Sequence, residues 1–143
     1  MKKKCMKLIE SSDVEYGLSN VDRRIAAIEI MLTSLEEHRS EFSPDVFDAL
    51  KLARIFHSRR STLDELLEVR VNMWKLISGR DCQFDDPFVC KIRAVICVLF
   101  PINEMEDAGE NLWNYFEFYQ GAKLNECIAL EAIKQVYSNY GNS

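Results

Sequence analysis

STLDELLEVRVNMWKLISG, residues 61–79, is the stretch whose reading decides the fold. Thr62 followed three residues on by Glu65 is a capping box, in which the hydroxyl takes up a free amide at a helix start. Leu63, Leu66, Leu67, Arg70, Met73, Trp74 and Ile77 then recur at intervals of three and four, the period of an amphipathic helix. Gly79 ends the run, because it enters the left-handed conformation that closes a helix.

The same grammar repeats on both sides. Upstream, Ile25, Ile28, Met31, Leu32 and Leu35 predict a helix from about Asn20 to Arg39, with Ser19 or Asn20 as its cap. Ser43-Pro44 opens the next, since proline at the first helical position sacrifices no needed N–H. Its stripe is Val46, Leu50 and Ala53. Downstream, Asp86-Pro87 repeats the cap-then-proline start. The segment 87–100 is apolar on nearly all sides, which reads as a central helix or a buried strand, and Pro101 ends either. Two further helices are expected, about Asn103 to Tyr119 and about Leu124 to Tyr140, closed by Gly121 and Gly141. The sum is an all-α, single-domain irregular bundle of five to six mostly antiparallel helices over residues 1–143. Residues 1–18 are expected to be a poorly ordered or short helical segment.

The bulk properties fit one globular core. The chain has 143 residues, 48% hydrophobic and 29% charged, with five Gly and three Pro. A net charge of -5 disfavours nucleic acid, whose binding rewards positive charge. Arg54, Arg59 and Arg60 with Phe56 and His57 make a short basic patch, but Glu41, Asp45, Asp48, Asp64 and Glu65 surround it, so a solvated helix end is expected. The opening Met1-Lys2-Lys3-Lys4 lacks the apolar stretch of a secretory signal, and its lysines are read as a frayed terminus. No run reaches the length of a membrane span. The five cysteines, Cys5, Cys82, Cys90, Cys97 and Cys127, show no zinc or CxxC spacing and read as reduced thiols of a cytoplasmic protein.

Catalytic and cofactor signatures are missing. His38 and His57 lie in no HExxH or Glu-x-x-His pattern, and no glycine-rich phosphate loop occurs. Cys82, in a polar loop, has Asp81, Asp85 and Asp86 beside it, which oppose a thiolate. An enzyme would need scattered parts such as Asp85, Asp86, His57 and Arg93. The expectation is no catalysis, no metal and no cofactor.

One stretch is uneven. From Ala94 to Ala122 there is no Lys or Arg, while Glu104, Glu106, Asp107, Glu110 and Glu117 alternate with Trp113, Tyr115, Phe116, Phe118 and Tyr119. Core packing explains an aromatic stripe on one face. Binding of a basic protein explains the acids and aromatics together, because aromatics anchor and carboxylates steer. Five aromatics in seven positions cannot all face one core from one helix, so Tyr115 or Phe118 is expected to stay partly exposed. The candidate partner-binding residues are Glu104, Glu106, Asp107, Glu110, Trp113, Tyr115, Glu117 and Phe118.

Asp48-Ala49-Leu50-Lys51-Leu52-Ala53-Arg54, then Ser61 to Arg70, Trp74, and Ile92-Arg93-Ala94-Val95-Ile96 together resemble the helical immunity proteins of bacterial polymorphic-toxin systems, over about two fifths of the chain. The resemblance implies a cytoplasmic protein that binds and neutralises one cognate toxin, here one with a basic contact surface. It carries over no site residue. The alternative is a helical adaptor or regulatory subunit without activity, in one version a homodimer whose apolar face is the segment 87–100.

Overall fold

The computed structural model describes residues 1–58, 61–81 and 84–141. Their helices are α1 (Lys2–Glu15), α2 (Asn20–Glu36), α3 (Pro44–His57), α4 (Leu63–Leu76), α5 (Pro87–Ile96), α6 (Ala108–Gly121) and α7 (Glu126–Gly141), with short 3₁₀ turns at Arg39–Glu41 and Ile102–Glu104. No strand occurs among the described residues.

The caps fall where their chemistry requires. Ser19 and Thr62 accept the amide N–H of Asp22 and Glu65, and Asp86 accepts those of Phe88 and Val89. Ser43 is the exception: Pro44 starts α3 as expected, but the serine side chain makes no cap bond. Gly79, after α4, has φ +81°, the left-handed value its role demands.

Among the described residues there are seven helices where five to six are expected, and the addition is α1. Its lysines do not fray. Cys5, Met6 and Ile9, one turn apart, are buried in the core, and Lys2 is tied to Glu117 of α6 at 2.5 Å. Segment 87–100 resolves into a helix to Ile96 and then turns; its buried residues run from Val89 through Leu99. It is therefore interior and offers no broad apolar face to a second copy. The helix expected from Asn103 begins later, at Ala108. The chain first makes its 3₁₀ turn, and Asp107 then caps α6 by accepting the Glu110 N–H.

α2 and α6 form the middle of the bundle. α2 packs on α3, α6 and α7, and α6 packs on α1, α2 and α5. Two buried polar pairs join α6 to α2 and to the turn just past its end: Ser34 Oγ to Tyr115 Oη at 2.5 Å, and His38 Nε2 to Tyr119 Oη at 2.8 Å. Each pair spans 81 residues of sequence, so these two neighbours run in the same direction. The Tyr119 hydroxyl also donates to the Asn125 carbonyl at 2.6 Å, fixing the approach to α7.

α4 lies at the edge, against α3 and α5. α3 is clamped to α2 by Arg54, whose guanidinium binds Glu29 at 2.7 Å and Glu36 at 2.6 Å. Among the described residues no helix is long and apolar enough to cross a membrane.

Candidate functional site

The acidic–aromatic segment separates into two populations. The aromatic half is core. Tyr115 is fully buried, and its hydroxyl donates to the Met31 carbonyl at 3.3 Å beside its contact with Ser34. Burial drives its phenol pKa well up. Phe118 is buried as well, stacked on Phe84 at 5.5 Å with the Arg93 guanidinium 4.5 Å from its ring. The expectation that one of them stays exposed fails because α6 has neighbours on three sides, so residues pointing different ways all meet protein. Trp113 is half-buried under Lys2, whose ammonium sits 4.1 Å from the ring centre. Glu117 is spent on the same lysine.

The acidic half remains at the surface. Glu104 is half exposed and 3.7 Å from Arg70. Glu106 and Glu110 are exposed, and Arg24 reaches the Glu106 backbone carbonyl at 3.4 Å. Asp107, though exposed, is engaged as the α6 cap.

Behind these residues the fold makes a cleft of about 370 Å³ between α1, α2 and the start of α6. Glu106 and Asp107 line one side. Glu10 and Asp13 of α1 and Arg23 and Arg24 of α2 line the others. Four acidic residues and two arginines thus line it, an excess of negative charge. Asp13 is partly withdrawn from water, and burial raises its carboxyl pKa although the Tyr137 hydroxyl donates to it at 2.6 Å. A partly desolvated carboxylate gains more from a cation than an exposed one. Arg23 Nε is buried without a hydrogen-bond acceptor; Asp13 Oδ2 stands 3.9 Å away, too far to serve. The cleft therefore offers carboxylates to a cation, while the Arg23 Nε–H is shut off from an incoming group. A larger cleft of about 560 Å³ beside Lys2, Glu117 and Lys123 is closer to charge balance, since Lys2 and Glu117 neutralise each other.

The other sequence candidates have structural work. His38 is buried, with Glu41 on Nδ1 and Tyr119 on Nε2. His57 donates from Nε2 to the Val98 carbonyl at 2.9 Å, and burial lowers its pKa. Asp86 caps α5, and Arg93 lies on Trp74 and Phe118. Arg54 is neutralised by two glutamates, while Arg59, Arg60 and Cys82 lie outside the described residues. Burial pushes the Cys5 thiol up to about 11 and the Cys97 thiol up to about 12, so both stay protonated at neutral pH. No group of three or more metal-ligating side chains converges among the described residues.

Comparison of the chain with protein-family models, curated proteins and solved structures finds no match.

Proposed function

We propose that this protein is a non-catalytic inhibitor of the immunity type, which binds one cognate bacterial toxin in the cytoplasm through the acidic cleft at the α1–α2–α6 corner. The observation that carries the reading is the cleft's composition. Glu10, Asp13, Glu106 and Asp107 suit an arginine or lysine side chain. Exposed Glu104 and Glu110 extend the negative field outward, where it speeds the approach of a basic surface. The other reading, an adaptor or regulatory subunit, is favoured by one feature, the exposed apolar face of α4.

The test is co-expression with the toxin-type protein encoded beside this gene, scored by growth rescue and co-purification. The wild type is expected to rescue and to form a salt-sensitive 1:1 complex. Glu10→Lys combined with Glu106→Lys, both at exposed positions, should slow association by roughly 10- to 100-fold at low salt. Absence of a complex, or a double variant that associates like the wild type, refutes the proposal.

A further inference from the structure

α4 buries only part of its apolar surface. Leu66, Met73 and Ile77 face α3 and α5 and are almost inaccessible. Leu63, Leu67, Val71 and Trp74, spaced four, four and three residues apart, form a second stripe that is 53, 45, 45 and 42% exposed. Scattered single apolar residues on a surface mean nothing, but a continuous line along one helix is what a helix shows to a neighbour. The line continues past Arg70 to Phe100, whose ring lies 4.0 Å from that guanidinium and which is 37% exposed. No residue of this face lines the acidic cleft.

The two edges of the stripe differ in sign. On the side away from the bundle, the helix turn places exposed Asp64 and Glu68 together with Lys75, a net negative edge. On the side toward α5 stand Arg70, with Glu104 at 3.7 Å, and Arg93, 4.9 Å from the Trp74 ring, a net positive edge. A face that is net acidic along one edge and net basic along the other complements itself under one symmetry only. A twofold axis parallel to α4 sets each acidic edge against the other copy's basic edge. A twofold perpendicular to α4 sets acid against acid.

We propose that this face joins two copies of the chain, α4 beside α4 and running in the same direction, about a twofold axis parallel to both. Such a contact is isologous, as most homodimer contacts are. The exposed parts of the five apolar side chains offer roughly 500 Å², the upper end of what monomers leave bare. A standard specific interface takes about 800 Å² per partner, so the polar rim has to supply the remainder.

Sedimentation velocity of the full chain across a wide range of micromolar concentrations tests it, because a dimer must respond to mass action. The expected result is a monomer–dimer equilibrium. Leu67→Glu should weaken it by about 30-fold or more, the loss typical of an interface anchor, with the far-ultraviolet helix signal unchanged. Glu68→Arg, which disturbs no apolar contact, should weaken it by about 3- to 10-fold. Leu63→Cys in a Cys82→Ser, Cys127→Ser background should form an intermolecular disulfide on oxidation, since position 63 meets its own copy only when the helices are parallel. A chain that stays monomeric at every concentration overturns the proposal, as does a dimer that tolerates Leu67→Glu. A dimer in which Leu63→Cys fails to cross-link overturns the parallel arrangement. If the chain is monomeric and Leu67→Glu instead abolishes capture of the toxin, the face belongs to that partner.

Discussion

Replacing Gly121 by alanine sets two well-measured effects against each other, and the sign of the outcome is decided by packing. Gly121 is the last residue of α6. Alanine there improves helix propensity by about 1 kcal/mol. The added methyl, however, would stand 2.5 Å from Cys90 Sγ and 2.8 Å from the Phe84 carbonyl oxygen. The first neighbour is a short side chain inside the core, and the second is backbone beside a ring that stacks on Phe118. Neither can withdraw without moving α5 or the segment before it. Overpacking of this kind costs about 1–3 kcal/mol. The net is a loss of about 1 kcal/mol, and with the backbone contact setting the upper end, about 2 kcal/mol, or a Tm lower by roughly 3–6 °C for a domain of this size. Thermal and urea unfolding followed by circular dichroism measure it. In a Cys90→Ala background one of the two clashes is gone, so the same substitution should cost at least about 0.5 kcal/mol less. A Gly121→Ala protein that melts higher than the wild type, as propensity alone dictates, would show that the α5–α6 approach described above is wrong.

Three further outcomes follow from the core and its edges. Tyr115→Phe should cost about 1 kcal/mol, because Ser34 keeps its bond to the Ile30 carbonyl at 2.8 Å; Tyr115→Ala should cost about 3–5 kcal/mol, and neither should change toxin capture by the folded fraction. Lys123 has φ +60°, which strains a side-chain-bearing residue, so Lys123→Gly should raise stability by about 0.5–1 kcal/mol in urea unfolding. Burial lowers the His57 pKa in the folded state, so the unfolded chain takes up a proton first; stability should fall as pH drops below the ordinary histidine range, and His57→Gln should flatten that part of the urea midpoint against pH.

Most of the helical framework was legible because it rests on local chemistry. Thr62 with Glu65, Asp86 with Pro87, and Gly79 each act within a few residues, and the helices they bound appear where their spacing places them. α1 was obscured because Lys2, Lys3, Lys4 and Lys7 surround a narrow stripe of Cys5, Met6 and Ile9, and only tertiary contact with α6 and α7 reveals which side is buried. The aromatic residues of α6 misled for a related reason. Periodicity counts one face, whereas a helix packed on three neighbours has several. On α4 the pattern Leu63, Leu66, Leu67, Met73, Trp74, Ile77 reads as one broad core stripe, yet only the half turned toward α3 and α5 is covered. The acidic residues Glu106 and Asp107 were visible in the sequence. Their company, Glu10, Asp13, Arg23 and Arg24, comes from segments more than 80 residues away, and no local rule brings those segments together.

The two polar pairs that α6 makes with α2 and the turn after it bear on how this chain avoids folding into a near-copy of itself. Ser34 on α2 and His38 just past its end are four residues apart, and so are Tyr115 and Tyr119 on α6. Helices faced with aliphatic side chains can slide past each other by a turn, about 5.4 Å, and still bury nearly the same area. Here that slip would set His38 against Tyr115 or Ser34 against Tyr119 and leave the remaining partners in an apolar interior. Each stranded group carries a desolvation penalty of about 1–3 kcal/mol. The pairs add little to the depth of the native basin, but they raise the energy of its closest competitor, so the chain settles in one alignment rather than sampling two.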